Sequence, residues 1–170
     1  MRVRLAVLLV VMLGVGAPSS TADETAAPVK KADRIVIVKS ERTLTLMSGG
    51  KVLKTYKVAL GGDPVGPKVK VGDKKTPEGM YVIDSKNAKS RFHLALHISY
   101  PNTDDRARAR KLGVSPGGGV EIHGLESKYA WVGSLHRQVN WTAGCIAVTN
   151  PEIDEIWPLV PVGTPVEIRP

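Results

Sequence analysis

The sequence predicts a mainly β domain with two short helices. Apolar stretches of strand length recur along the chain, at Ile35–Val38, Leu44–Met47, Tyr81–Ile83, Phe92–Ile98, Val120–His123 and Val166–Ile168. Turns rich in glycine and proline divide them, and 17 glycines and 12 prolines in 170 residues are enough to make every such division. Helix-start signals occur only twice, at Asp104 and at Asn150, each followed by a first turn that carries an acidic residue.

The chain opens with Arg2 and Arg4, an apolar run from Leu5 to Val15 and a small-x-small site at Ser20-Thr21-Ala22, which reads as a secretory signal peptide over residues 1–22, cleaved before Asp23. The run is too short to span a bilayer, so no transmembrane anchor is expected. Residues 23–33, without periodicity, read as a flexible tether. An exported chain would have 148 residues (170 − 22), which suits one domain over 34–170 with its own core.

Ile35–Val38 is a buried-type strand, and Leu44–Met47 and Lys51–Leu60 flank Gly49-Gly50 as a hairpin. Gly61–Lys75 is longer than an ordinary connection and is expected either to rim a cleft or to be a solvated loop. Thr76-Pro77-Glu78-Gly79 turns the chain into the strand at Tyr81–Ile83. In the next strand Phe92, Leu94, Leu96 and Ile98 alternate with His93, Ala95, His97 and Ser99, which puts two histidines on one face. No carboxylate or further ligand is spaced with them for a metal, so they are read as hydrogen-bonding groups behind the cleft or as ordinary exposed imidazoles. Asp104 is the expected N-cap of a helix over Asp105–Leu112, ended by Gly113. Ser115–Gly119 breaks the chain before the strand Val120–His123. Asn150-Pro151-Glu152 reads as N-cap, proline and early acid of a helix running to about Leu159, and Val162–Pro165 turns into the last strand.

The chemistry centres on the only cysteine, Cys145. A lone cysteine is more often an inert core residue than a catalyst. Two features argue otherwise here. A single unpaired thiol in an oxidising compartment makes no internal disulfide, so an exported chain that keeps one is expected to use it for chemistry. The thiol also follows Gly144 at a tight turn, where glycine lets the backbone approach a ligand closely. Upstream by 22 residues (145 − 123), the strand ending at His123, just before Gly124, delivers an imidazole that can remove the thiol proton. Peptide N–H groups of Gly144 and Cys145 are expected to form an oxyanion hole, and Thr142 to hold the turn. Between them Leu125–Trp141 carries Tyr129, Trp131 and Trp141, three of the chain's eight aromatics, together with His136. These four are expected to contact substrate, the rings either as a lid or simply packed on the sheet.

The combination of Ile122-His123-Gly124, Thr142-Ala143-Gly144-Cys145-Ile146 and a capped helix start behind it resembles the L,D-transpeptidase catalytic domain of YkuD type. Lys75-Thr76-Pro77-Glu78-Gly79-Met80-Tyr81, Arg42-Thr43-Leu44 and Gly49-Gly50 resemble further family elements, and the likeness covers roughly Arg34 to Ile168. Gly62–Pro67, Ser90–Leu94 and Ile98–Asn102 are similar to a branch that includes a murein–lipoprotein hydrolase. Ala143 departs from the family pattern, where many members have a second histidine. The resemblance implies a β-sandwich-like L,D-transpeptidase catalytic fold that needs no metal or organic cofactor. It also implies a reaction: Cys145 attacks the third-residue carbonyl of a murein stem tetrapeptide, D-Ala leaves, and an amine takes the acyl group. The alternatives are a cysteine hydrolase acting on murein–lipoprotein bonds, and an inactive wall-binding module.

Charge fits an exported wall enzyme. Without Arg2 and Arg4 the chain keeps 22 basic residues against 16 acidic ones, a balance of +6, which favours anionic partners such as carboxylate-bearing stem peptides or simply serves solubility. Nucleic acid is not expected, because the chain has an export signal and lacks a recognition helix or interleaved basic and aromatic residues. The expected location is the periplasm or cell-wall space, and the expected partners are peptidoglycan stem peptides and a murein-linked lipoprotein.

Overall fold

The computed structural model describes residues 30–170; the predicted signal peptide and residues 23–29 of the predicted tether lie outside the described residues. Eight strands form a curled sheet: β1 (Arg34–Val38), β2 (Thr43–Ser48), β3 (Lys51–Lys57), β4 (Gly79–Ser90), β5 (His93–Ile98), β6 (Glu121–His123), β7 (Ile146–Ala147) and β8 (Pro165–Arg169). Their order is β3-β2-β1-β8-β4-β5-β6-β7, with β1–β8 and β6–β7 parallel and the other pairs antiparallel. Helix α1 spans Thr103–Lys111 and α2 spans Asn150–Leu159.

The long strand β4 makes the curl. Its first residues, Gly79–Val82, pair with β8, and the stretch from Ile83 onward pairs with β5, with register shifts after Ile83 and after Asn87. Such irregularities bend a strand and increase its twist. The two halves are stitched again at the far side. Ala59 and Ala147 exchange N–H···O bonds of 2.9 and 2.8 Å, and Thr142 donates to the carbonyl of Leu60 at 3.1 Å. This second seam places the strand behind Cys145 against the end of the first hairpin.

Alternating positions of the strands fill the core. Ile35 and Ile37 of β1, Leu44 and Leu46 of β2, Leu96 and Ile98 of β5, Ile122 of β6 and Ile146 of β7 are fully buried. Helix α2 adds Ile153 and Ile156, three residues apart on one helical face. Each such side chain contributes about 1.5–3 kcal/mol by leaving water.

Several boundaries differ from the sequence expectation, each for a local reason. The expected tether ends before residue 33: Ala32 is buried and donates to Leu159 O at 2.8 Å, and Lys31 reaches Pro158 O at 2.6 Å. β4 runs to Ser90 although Asp84–Ser90 has no apolar face, because its backbone pairs with β5 while most of its side chains stay in water. β3 ends at Lys57, since Val58–Leu60 leaves β2 for the second seam. Asn102, not Asp104, caps α1. Its side chain accepts the N–H groups of Asp104 and Asp105 at 2.9 and 3.0 Å, and Asp105 returns the bond to Asn102 N–H at 3.1 Å. Asp105 also accepts from the Tyr81 hydroxyl at 3.0 Å, which ties the helix to β4. Thr149, not Asn150, caps α2, with Glu152 accepting the Thr149 N–H at 2.9 Å. A third helical segment, a run of 3-10 turns over Ser127–Gln138 kinked at Gly133, occupies most of Leu125–Trp141, the insertion between the candidate base and nucleophile.

Candidate active site

The parallel pair β6–β7 assembles the site. Ile122 stands opposite Ile146 and His123 opposite Ala147, so the same register carried back one step sets Cys145 beside Glu121. Side chains two apart on a strand share a face, and so His123 and Cys145 point to the same side of the sheet. The thiol donates to Gly119 O at 3.5 Å, and the Glu121 N–H lies near enough to the sulfur to favour the thiolate.

Thr142 shapes the turn before the thiol. Its hydroxyl donates to Cys145 O at 2.8 Å and accepts the Gly144 N–H at 3.1 Å. The Gly144 N–H, expected in an oxyanion hole, is bonded to Thr142 in this structure. The Cys145 N–H has no acceptor among the described residues. Gly144 adopts φ +134°, and a Cβ there would lie 2.6 Å from Lys75 O. Gly144→Ala is therefore expected to combine backbone strain with a steric clash and to push Lys75 and the loop behind it away from Cys145. A loss of stability of about 2–4 kcal/mol in urea melts, together with loss of thiol chemistry, is the expected result.

His123 is held from three sides. Its Nδ1 lies 2.7 Å from Gly124 O; a carbonyl only accepts, so Nδ1 carries the proton and Nε2 presents a lone pair. Phe92 stacks on the ring at 4.3 Å between centroids, and Trp141 meets it edge-on at 6.0 Å. At Gly124 a Cβ would lie 2.5 Å from Asn150 Oδ1, the atom that accepts the Leu125 N–H at 2.6 Å. The residue read as a helix cap is thus a clamp on the chain just after the base.

Burial governs the protonation states. Desolvation pushes the Cys145 thiol up to about 11, against the Glu121 N–H, which favours the thiolate. Burial lowers the His123 pKa, opposed by the Gly124 bond. Both shifts favour the neutral forms, thiol and imidazole.

The substrate-contact candidates divide. Tyr129, His136 and Trp141 line an apolar groove of about 360 Å³ with Phe92, Leu125 and Val132, adjoining His123 through Phe92 and Trp141. Trp131 is 81% exposed, its indole N–H donates to Lys128 O, and it does not line this groove. None of the three rings lines the pocket at Cys145 in this structure. His136 is buried, receives the Trp141 N–H at 3.4 Å, and has its pKa lowered to about 4 by desolvation and by Arg137. The end of the insertion is anchored: Arg137 pairs with Glu152 of the α2 capping box, and Arg42 donates to Arg137 O. His93 and His97 stand apart from the pocket, paired with Asp154 at 2.7 Å and Asp84 at 2.6 Å.

Two site residues escaped the sequence. Phe92 read as one more core position of an alternating strand, although it is the chain's only phenylalanine. Lys68 lay in a loop flagged only by its length. It enters the pocket at Cys145 beside Val71 and Gly72 of the same loop.

Comparison with known proteins identifies the family. Residues 32–168 match the family model of the L,D-transpeptidase catalytic domain, YkuD. The protein named "Putative L,D-transpeptidase YafK" of Escherichia coli K12 is 35% identical over 132 residues, which cover 74% of this chain and 46% of that protein. The chain therefore spans about half the length of that relative. Among solved structures, the helical cell shape determining protein Pgp2 from Campylobacter jejuni superposes with a TM-score of 0.62 at 25% identity, over 82% of this chain and 48% of its own. Bd1075 of Bdellovibrio bacteriovorus shares the fold, with a TM-score of 0.56 at 21% identity over 84% of this chain and 49% of that one. A site-bearing β6–β7 pair in a curled sheet, matched to the family model over nearly all of the described residues, places this chain in the L,D-transpeptidase catalytic-domain (YkuD) family.

Proposed function

We propose that this protein is an exported cysteine acyltransferase that acts as a murein L,D-transpeptidase on stem tetrapeptides. The observation that carries the reading is the shared face of Cys145 and His123, with the His123 Nδ1 proton locked on Gly124 O and Nε2 left as the basic nitrogen. In the first half-reaction Nε2 takes the thiol proton as sulfur attacks the third-residue carbonyl of the stem. The Cys145 N–H bonds the developing oxyanion, and the imidazolium returns the proton to the departing D-Ala amine. An acceptor amine then attacks the thioester, its proton passes to His123, and the thiol is regenerated. No step calls for a metal or an organic cofactor.

The apolar groove beyond Phe92 and Trp141 lies on the base side of this pair and suits the acceptor strand or the stem's apolar portions. Tyr129, Trp141 and His136 belong to it, while Trp131 is exposed to engage wall material only from outside. Family membership supports peptidoglycan as the substrate, and a similar fold serves cell shape in Pgp2. Among the described residues no helix is long and apolar enough to cross a membrane.

Incubation of the purified protein with sacculi, followed by muropeptide profiling, decides the reaction. New cross-linked or exchanged stems are the expected products. Tripeptides alone, or released lipoprotein peptides, would instead indicate a hydrolase.

The resting protonation states give a pH prediction. With the thiol pushed up to about 11, iodoacetamide alkylation of Cys145 should accelerate about tenfold per pH unit from 7 to 10, without a plateau near the ordinary thiol value. With the His123 pKa lowered, the neutral base persists on acidification, so the acid limb of kcat/KM should fall below pH 6.5. A plateau of alkylation at neutral pH would show a preformed thiolate–imidazolium pair.

A further inference from the structure

The pocket at the sulfur is small, about 120 Å³, and is walled by the glycines Gly72, Gly117–Gly119 and Gly144 together with Val71, Val120 and Ala143. One charged side chain enters it, Lys68, only 4% exposed. Its ammonium donates to Asp73 Oδ1 at 2.7 Å and to Lys70 O at 3.1 Å. Lysine has three N–H donors, and the third has no acceptor among the described residues. The side chain runs along the thiol turn, with Cδ 3.8 Å from where a Gly144 Cβ would stand. Its charge is also felt at the sulfur, where it favours the thiolate.

Asp73 does not compete for what the ammonium faces. Its Oδ1 also takes the Lys75 N–H at 3.1 Å, and its Oδ2 takes the N–H groups of Val69 and Lys70 at 2.8 and 3.0 Å. Against desolvation, which pushes it up, the Lys68 ammonium and these N–H bonds lower the pKa of its carboxyl to about 2. The carboxylate is fully used in folding the loop into a cradle that fixes the lysine head.

On the reading that Cys145 attacks a stem peptide, we infer that Lys68 is a specificity residue that receives the free α-carboxylate of the amino acid released at Cys145. A fixed cation with an unused donor, on the wall of the pocket at the sulfur, selects donors that end in a free carboxylate one residue beyond the scissile carbonyl. It disfavours donors in which that carboxylate is amidated or extended, because the buried ammonium would then face a group that cannot answer its charge.

The test compares a stem tetrapeptide ending in D-Ala with the same peptide ending in D-alaninamide, using the wild type, Lys68→Met and Lys68→Met/Asp73→Asn. The double variant removes the carboxylate that the single one leaves unpaired, and thermal melts identify folded protein. The wild type is expected to prefer the acid by roughly thirtyfold in kcat/KM, a ratio typical of one charged hydrogen bond. In the variants the acid should lose about that factor, chiefly through KM, while the amide stays within about threefold. Equal losses on acid and amide would assign Lys68 to loop architecture alone and overturn the inference, as would a wild type without preference. A second measurement does not need turnover. Free D-alanine should slow alkylation of Cys145 by iodoacetamide in the wild type, D-alaninamide should not, and the variants should lose the difference. If no tetrapeptide is turned over, the proposed function fails and this measurement alone decides: acid-specific protection upholds the role of Lys68, and its absence overturns it.

Discussion

Cys145→Ser is expected to fold as the wild type does and to lose acyl transfer by about 10³-fold or more. The substitution changes one atom in a turn whose geometry rests on Thr142 and Gly144, so the packing of Ile146 and Ala147 behind it is undisturbed. The chemistry changes far more. His123 is a weak base with a lowered pKa, and a hydroxyl holds its proton much more tightly than even a buried thiol does. Tetrapeptide turnover and intact-mass detection of a carbapenem adduct check this together. The adduct should form on the wild type and be absent from Cys145→Ala. Wild-type turnover in the serine variant would sink the thiolate mechanism.

His123→Ala is expected to lower kcat/KM by about 10²–10⁴-fold, the range for losing a positioned general base. His136→Ala should cost at most about tenfold. Both rings are buried, both have lowered pKa values, and both meet Trp141, so burial alone does not rank them. Geometry does. His123 lies on β6, on the face it shares with Cys145, with its tautomer set by Gly124 O. His136 lies in the apolar groove, accepts from Trp141 at Nδ1, and has a buried Nε2 without a partner. The main effect of His136→Ala should be on stability, a loss of about 1–3 kcal/mol from an emptied site, read in urea melts. If His136→Ala abolished neutral-pH alkylation of Cys145 while His123→Ala left it intact, the base would be misassigned.

The sequence by itself determined the mainly β class, the nucleophile and base candidates and the family. Each is written in local pattern: alternating apolar runs, a glycine beside the only cysteine, an imidazole at a strand end. Such signals survive in a linear reading because strand period and turn chemistry act over a few residues. Asp84–Ser90 shows where that stops, since a ribbon solvated on both faces leaves no apolar period to read. The caps at Asn102 and Thr149 were displaced by one or two residues because runs of adjacent capping residues leave the choice to side-chain geometry.

Only the tertiary structure decided what surrounds the pair. The sulfur's neighbours come from the loop at Lys68–Gly72 and from Gly117–Gly119, remote in sequence and joined where the Val71 N–H bonds Ser115 O at 2.9 Å. The same structure commits the Gly144 N–H to Thr142, makes Asn150 a clamp on Leu125, and turns Phe92 onto His123. The rings of the insertion were visible as composition, but their division between groove and solvent was not. It depends on the Gly133 kink and on the anchoring of Arg137 to Glu152, contacts that close only when the sheet has curled.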